Sequence, residues 1–339
     1  MSSKFHRSSD ISSNKAAGVR DSRDVDSGKS EQLMHQSTSA NKNGGKEMNG
    51  TYFLDKLLLN ENYENLEVVG SGGFGIVLSA NFVATQEKVA VKTIFRQKDT
   101  IIGANTCKNF LLEIDFVASF KHPNIVRLIQ ADKENLCFSL EFAKGGDLRK
   151  LVTRQIGLKE ETARHIFQGV LNAISYLHDE LVIHNDIKPE NILLMDDSYL
   201  PVVKLTDFGC SIRFNDPTKK VSGTLRYCAP EKLENAFRPL NERQLLTEKL
   251  DIYSIGLSLY VSCTNESPFK SKYAKGIIEE IRKDCFTWNL IPKLNIQFSQ
   301  GCIFFMMECL NYDATARPSA KKLKCHAWFK QKDVTNGDD

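Results

Sequence analysis

Short apolar or alternating stretches, separated by glycine-rich and polar breaks, follow one another between Tyr63 and Phe142. Such stretches predict β-strands when they are four to eight residues long and rich in β-branched and aromatic residues. Five segments have this character: residues 66–69, 76–80, 89–94, 125–128 and 136–142. The pattern predicts a small five-stranded antiparallel sheet.

The helical pattern is different, with apolar residues three or four positions apart. It predicts one helix over residues 110–117, ended by His122-Pro123, and a long core helix over residues 160–178. These elements predict an α+β fold with two lobes, residues 61–143 and a mainly helical 144–332, and a cleft between them. The polar segments at 1–60 and 333–339 are predicted to be tails.

Two polar segments keep more than one interpretation. The tail of residues 1–60 is rich in Ser, Asn, Gly, Lys and Asp, which predicts disorder. It either carries phosphorylation or degradation signals or is a dispensable extension. The segment 235–249 is either a docking loop or a tolerated surface insertion.

Composition narrows the class of protein. The chain has 339 residues and a formal net charge of +3, so attraction to nucleic acid or to a membrane is not predicted. No apolar run approaches the roughly 18 residues that span a bilayer. Nine cysteines without a Cys-x-x-Cys pair indicate reduced thiols rather than disulfides or zinc. We therefore expect a cytoplasmic monomer, with access to the nucleus left open.

A glycine-rich break separates the first two predicted strands. Glycines here would let the backbone lie close over a triphosphate, with Phe74 capping the tip and Val77 pressing on a base. A dinucleotide fold would place such a motif at the start of a helix, but β-type residues follow it here. The predicted nucleotide loop consists of Gly70, Ser71, Gly72, Gly73, Phe74 and Gly75.

A lysine and a glutamate in the same region form a candidate ion pair. Lys92 is a charged residue in the otherwise apolar strand 89–94. Glu113 lies in the predicted helix among apolar neighbours. A pair between them would hold the lysine against the phosphates of a nucleotide. Either side chain alone would otherwise be explained as solvent-exposed.

The segment His184–Leu194, His-Asn-Asp-Ile-Lys-Pro-Glu-Asn-Ile-Leu-Leu, carries the strongest chemical pattern in the chain. Asp186 is an acceptor for a hydroxyl proton, Lys188 is a cation for phosphate charge, and Asn191 is an oxygen ligand for a metal ion. Apolar neighbours would fix this loop to the core. The spacing favours phosphoryl transfer.

In order, these motifs resemble the protein kinase superfamily over about 270 residues. Asp207-Phe208-Gly209 resembles the family's magnesium turn, and Ala229-Pro230-Glu231 resembles the end of its activation segment. The resemblance implies ATP and Mg²⁺, with Asn191 and Asp207 holding the metal. Thr224 would bind Asp186 and Lys188, which favours serine or threonine acceptors. It also implies an adenine pocket formed by Val77, Ala90, Leu140, Glu141, Ala143 and Leu193.

The resemblance further implies structural roles. Glu231 and Arg317 would form a buried ion pair, and Asp251 would anchor the backbone of the catalytic loop. An apolar stack would join the two lobes through Val117, Leu128, His184 and Phe208.

One position departs from the family pattern, because Asn185 stands where the signature has arginine. In many kinases that arginine binds a phosphate on the activation segment. Asparagine lacks the charge to do so. We therefore hypothesise that activity does not depend on phosphorylation at Thr218 or Ser222, a hypothesis that fails if alanine at both positions abolishes activity without unfolding.

Several short motifs resemble the Mos family of serine/threonine kinases. They include Asp207-Phe208-Gly209-Cys210-Ser211 and Arg317-Pro318-Ser319-Ala320. This resemblance implies a MAP kinase kinase kinase that phosphorylates a MAP kinase kinase in oocyte meiotic maturation. Two alternatives remain: another cell-cycle serine/threonine kinase, and a nucleotide-binding scaffold without turnover.

Overall fold

The computed structural model describes residues 61–72, 75–94, 101–215, 222–283 and 298–330, with backbone only at 71, 72 and 101–105. The two predicted tails, residues 1–60 and 333–339, lie outside these ranges. Gly73, Phe74 and Thr218 also lie outside the described residues. Among the residues described, no helix is both long enough and apolar enough to cross a membrane.

The N-terminal part is a five-stranded antiparallel sheet, as the sequence predicted. Its spatial order is β1-β2-β3-β5-β4, so the last two strands exchange places relative to the chain. The strands are β1 (Tyr63–Gly72), β2 (Gly75–Phe82), β3 (Glu87–Ile94), β4 (Leu128–Asp132) and β5 (Cys137–Glu141).

The fourth strand lies later in the chain than predicted. Residues 125–128 were expected to form it, yet β4 begins at Leu128. Ile125 is instead in a parallel bridge with Leu205, and Val126 donates its N–H to the Leu205 carbonyl. Both residues are buried there, so their apolar character reflects packing against the C-terminal part rather than a position in the sheet.

The register of the sheet separates its two faces. Lys92 lies opposite Val77 on one side and Phe138 on the other, so these three side chains share a face. The opposite face carries an apolar cluster that closes the sheet on its other side: Tyr63, Ile76, Leu78, Ala80, Val89, Val91 and Cys137. Lys92 therefore points away from this cluster.

A long helix, α1 (Ile101–Ser119), lies between β3 and β4. It begins nine residues before the helix predicted at 110–117. Its residues Phe110 and Ile114 are buried, and the Phe110 ring lies 5.1 Å from that of Phe138 in the sheet. These contacts dock α1 on the face of the sheet that carries Lys92.

The C-terminal part is mainly helical, and its centre is α3 (Glu160–Asp179) with α5 (Lys249–Thr264). Residues of α3 that were predicted as a core stripe, such as Ile166, Val170 and Ile174, are buried. Every residue of α5 except its first is buried as well. The helices are α2 (Leu148–Gln155), α3 (Glu160–Asp179), α4 (Pro230–Asn235), α5 (Lys249–Thr264), α6 (Ala274–Arg282), α7 (Gln300–Cys309) and α8 (Ala320–Leu323).

Short strands carry the segments that connect the two parts. β6 (Gly146–Asp147), β8 (Ile192–Leu194) and β9 (Val203–Leu205) form one small sheet. β7 (Val182–Ile183) pairs with β10 (Ile212–Arg213) in another. The polar segment 182–215 therefore has its ends and its middle fixed by backbone hydrogen bonds.

Candidate active site

The loop between β7 and β8 carries the central polar residues. Three isoleucines, Ile183, Ile187 and Ile192, are fully buried and fix its two ends and its middle. Ser258 of α5 donates its hydroxyl hydrogen to the Ile187 carbonyl at 3.3 Å. The loop is therefore held by the core, and its polar side chains have defined positions.

Asp186, Lys188 and Thr224 are brought together at this loop. The Lys188 ammonium donates to Asp186 Oδ2 at 2.6 Å and to Thr224 Oγ1 at 2.8 Å. The Thr224 N–H donates to Asp186 Oδ1 at 2.8 Å. Burial alone would raise the pKa of Asp186, but the charge and hydrogen bond of Lys188 lower it below its ordinary value. The carboxylate is therefore ionised at neutral pH.

Asn191 and Asp207 fit a magnesium site. The Asn191 side-chain amide donates to the Asp186 carbonyl at 2.8 Å, which leaves Asn191 Oδ1 as an acceptor. The charge of Lys92 lowers the pKa of Asp207, so this carboxylate is ionised. Mg²⁺ prefers one or two such oxygens together with phosphates and water. Among the described residues, no cluster of three His, Cys, Asp or Glu side chains forms another metal site.

Lys92 reaches two carboxylates from the sheet. Its ammonium lies 2.6 Å from Glu113 Oε1 and 3.1 Å from Asp207 Oδ1. Burial opposes its charge, but the two carboxylates raise the pKa of Lys92 above its ordinary value. Burial raises the pKa of Glu113 to about 7, although Lys92 acts in the opposite direction. The predicted pair thus joins β3, α1 and the Asp207 turn.

The residues predicted around an adenine ring lie at the junction of the two parts. Ala90 and Leu140 are cross-strand neighbours on the Lys92 face, and Leu193 is half-buried in β8. Oε1 of the Glu141 side chain accepts from Lys204 at 2.6 Å and from the Arg127 N–H at 2.7 Å, and the Glu141 N–H donates to the Arg127 carbonyl at 3.0 Å. Ala143 lies two residues after the end of β5.

The glycine-rich hairpin lies at the edge of the same cleft. Gly70 pairs with Val77 and Gly72 with Gly75 across β1 and β2. A Cβ atom at Gly75 would lie 2.2 Å from the Thr93 carbonyl, so a side chain there would clash with β3. Ser71 and Gly72 are described by their backbone, whereas the tip, Gly73 and Phe74, lies outside the described residues.

Three buried interactions hold this arrangement. Asp251 accepts the N–H groups of His184 at 2.9 Å and Asn185 at 2.8 Å. Arg317 makes two bonds to Glu231, at 2.8 Å and 2.9 Å. The Phe208 ring lies 5.2 Å from that of His184 and is 1% exposed.

Sequence reasoning missed one functional candidate, Lys232. This side chain is 2% exposed, and its ammonium donates to the Asn185 carbonyl at 2.9 Å and to Asn185 Oδ1 at 2.5 Å. The available signal was a neutral residue at position 185 together with a lysine directly after Ala229-Pro230-Glu231. Only the fold shows that the two side chains meet.

Comparison with known proteins identifies the family to which this fold and site are similar. The family model described as protein kinase domain matches residues 63–329. CBL-interacting protein kinase 28 of Oryza sativa subsp. japonica is 31% identical over 82% of this chain and 61% of its own length. SNF-related serine/threonine-protein kinase of Rattus norvegicus is 33% identical over 83% of this chain and 34% of its own length.

A solved structure resembles the whole described fold. The crystal structure of Rad53 1-466 in complex with AMP-PNP aligns with a TM-score of 0.63 and 29% identity. The alignment covers 80% of this chain and 66% of that one. The chain therefore spans less than two thirds of the length of each of these relatives.

Proposed function

The chain belongs to the protein kinase domain family, and from this premise we propose that it transfers the γ-phosphate of ATP to serine or threonine hydroxyls of proteins. Both relatives named above are described as protein kinases, one of them as a serine/threonine kinase. The prediction of a protein kinase superfamily member is confirmed by the family model, and the name of the rat relative supports serine or threonine as the acceptor.

The observation that carries the proposal is the buried contact of Asp186, Lys188 and Thr224. Asp186 is an ionised acceptor in a fixed position, and it can orient an acceptor hydroxyl and take its proton. Lys188 is fully buried yet charged, and it lies where phosphoryl charge would develop. Thr224 binds both groups, so the end of the activation segment fixes their spacing.

Nucleotide binding is assigned to the cleft between the sheet and the helical part. Lys92, held by Glu113, would bind the phosphates, and Asn191 with Asp207 would hold Mg²⁺. Bound Mg²⁺ would neutralise charge on the phosphates. The Rad53 structure contains AMP-PNP, an ATP analogue, and this supports ATP as the nucleotide. Gly70, Gly72, Gly75, Val77, Ala90, Leu140 and Leu193 would enclose it.

The proposed substrate is a protein, and the proposal assigns it to no particular signalling pathway. The Mos-like hypothesis, a MAP kinase kinase kinase of oocyte meiosis, is based on short sequence motifs alone. The relatives named above are described as CBL-interacting and SNF-related kinases, and these names give it no support. A MAP kinase kinase is therefore one substrate among several to test, and a monomer in the cytoplasm remains part of the proposal.

The test compares purified wild-type protein with Asp186→Asn. Both are incubated with Mg-ATP, a mixed serine/threonine peptide library and a catalytically dead MAP kinase kinase, and transferred phosphate is mapped. We expect the variant to lose about 10²–10⁴-fold in kcat, the contribution of a positioned base, and to keep ATP affinity. Asp197→Asn, at a surface carboxylate that is 62% exposed, is the matched control.

Each result has a distinct meaning. Phosphate on serine or threonine from wild type and Asp197→Asn, but not from Asp186→Asn, supports the kinase. Transfer to the activation segment of the MAP kinase kinase would support the Mos-like pathway. If wild type binds ATP but transfers nothing to any acceptor, the proposal fails and the scaffold alternative replaces it.

A further inference from the structure

Asn185 is a meeting point of four segments. Its N–H donates to Asp251 of α5. Its side-chain amide donates to the Cys210 carbonyl at 2.9 Å and to Ser222 Oγ at 3.0 Å. Its two oxygens accept from Lys232. Helix α5, the Asp207 turn, the end of the activation segment and α4 therefore converge on this one residue of the catalytic loop.

The backbone at Asn185 suits this role. Its φ of 68° is in the left-handed region, which asparagine adopts more readily than most other residues with a side chain. Its side chain has both donor and acceptor atoms, and each of them is used here. An arginine at this position has donors only, and it would bring a second cation against the Lys232 ammonium.

Lys232 brings a buried positive charge to this point. A charged ammonium that is 2% exposed requires strong partners, and both of its bonds to Asn185 are charge-assisted. Lys232 lies in α4 directly after Glu231, and Arg317 binds Glu231. The charge therefore comes from a rigid element and not from a modified residue.

Gly223 shows how tightly the site is built. This residue has φ 87°. A Cβ atom there would lie 2.6 Å from the Asn185 carbonyl oxygen, 3.1 Å from Lys232 Nζ and 3.2 Å from Asp186 Oδ1. The Lys232 ammonium and the Asp186 carboxylate are thus neighbours across a glycine, and the residue after that glycine is Thr224.

We propose that Lys232 is a positioning residue that holds the catalytic loop against the end of the activation segment, so that the segment needs no phosphate. In kinases with arginine at the position of Asn185, that arginine on the catalytic loop binds a phosphate on the activation segment. Here the cation is part of α4 and already binds the loop through Asn185. This inference rests on the proposed kinase function and names its mode of regulation.

The first test measures kinetics on phosphatase-treated protein, with mass spectrometry to verify that Thr218 and Ser222 carry no phosphate. We expect wild type to remain active. Lys232→Met should lose at least about tenfold in kcat, as expected when a hydrogen bond to a charged group is removed, with KM for ATP nearly unchanged. Lys275→Met, at an exposed lysine of α6, is the matched control.

Asn185→Gly provides the second variant, because glycine keeps the positive φ and removes the three side-chain hydrogen bonds to Cys210, Ser222 and Lys232. If Lys232 acts through Asn185, the double variant should have nearly the kcat of the less active single variant, since both changes remove the bond from the Lys232 ammonium to Asn185 Oδ1. Asn185→Gly alone also tests the proposal should Lys232→Met fail to fold. Fully multiplicative losses in kcat would overturn it.

Hydrogen exchange tests the positioning without any turnover. The N–H groups of Asn185 and Thr224 are bound to Asp251 and Asp186, and we expect both to exchange faster in Lys232→Met, with α3 unchanged. If exchange is faster in Lys232→Met but the wild type transfers no phosphate, the positioning role is kept and the kinase function is rejected. Transfer by wild type with unchanged kcat in Lys232→Met, or loss of activity on dephosphorylation, would reject the positioning role.

Discussion

Two acidic residues on α1 show how environment decides chemistry at the scale of one side chain. Glu113 is 6% exposed and bound to Lys92, whereas Asp115 is 57% exposed and bound to surface Lys133. The sequence singled out Glu113 because its neighbours are apolar. It could not give the pKa of that carboxyl, which depends on burial and on the distance to Asp207.

Activity should rise through neutral pH because of Glu113. Its pKa is raised to about 7, so lowering the pH from about 8 to about 6 protonates it and weakens the pair with Lys92. We expect kcat/KM for ATP to fall over that range as a single ionisation. Glu113→Gln should be less active and lack this step, and Asp115→Asn should retain it. A flat wild-type profile would contradict the prediction.

Stability should respond to the same group in the opposite direction. The pKa of Glu113 in the folded state is above the ordinary 4.5, so the folded state binds this proton more tightly. The stabilisation is complete below that ordinary value and is lost as the pH rises toward about 7. Relative to Glu113→Gln, the wild-type free energy of unfolding should therefore decline across this range in urea titrations.

At the scale of elements, the local pattern predicted whether a segment is a strand or a helix better than it predicted which segment packs against it. The alternation in residues 89–94 gave β3, and the stripe in residues 160–178 gave α3, because each face is buried against one partner. Ile125 and Val126 have strand-like character as well, yet they pair with Leu205. Sequence reasoning placed them in the sheet because apolar character does not reveal which part of the molecule covers a residue.

The contact of Lys232 with Asn185 could not be predicted from the sequence either. The two residues are 47 positions apart and lie on a helix and a loop. The predicted pair of Glu231 and Arg317 was accessible only because a family motif marks it. Neither contact follows from periodicity, which reports local structure and the buried face but not the partner.

The link between α4 and the segment before α8 should be a major source of stability. Arg317 binds Glu231 and also donates to the carbonyls of Lys249 and Tyr312. Arg317→Met leaves a buried carboxylate without its partner, and we expect a loss of about 3–5 kcal/mol in the free energy of unfolding. Glu231→Gln keeps an acceptor and should cost about 1–3 kcal/mol.

The matched control is the exposed pair of Arg127 and Glu87, whose side chains are 57% and 51% exposed and 3.8 Å apart. Arg127→Met should change the free energy of unfolding by less than about 1 kcal/mol. Urea unfolding of the full chain measures all three variants. Equal losses for Arg317→Met and Arg127→Met would show that burial does not govern this pair.

At the scale of the whole molecule, the cleft lies between two parts that share one large apolar core. The sheet closes one face with its own apolar cluster and leaves the Lys92 face to α1. The apolar residues on that face, such as Phe138, belong to a core that continues through α1 into the helical part, where the ring of Phe208 lies 5.2 Å from that of Phe120. Polar groups from both parts meet beside this core, at the seam between the two parts. Local patterns predicted the α+β class, whereas the distances across the seam depend on contacts that local patterns do not show.

Nucleotide binding across this seam should stabilise the protein in two steps. A ligand that binds only the folded state at about 100 times its Kd adds about 2.7 kcal/mol to the free energy of unfolding. We expect such a gain in Mg-ATP and a smaller one in ATP with EDTA, because the metal joins Asn191 and Asp207 to the phosphates. Thermal shifts and urea titrations of the full chain measure both steps.

The variant that separates them is Asp207→Asn, which removes one predicted metal ligand. It should lose the gain that depends on Mg²⁺ and keep most of the gain from ATP alone, since Lys92 and its partner Glu113 remain. Asp197→Asn should behave as wild type. If wild type is stabilised equally with and without Mg²⁺, the two oxygens at the seam do not hold a metal, and Asp207 serves Lys92 alone.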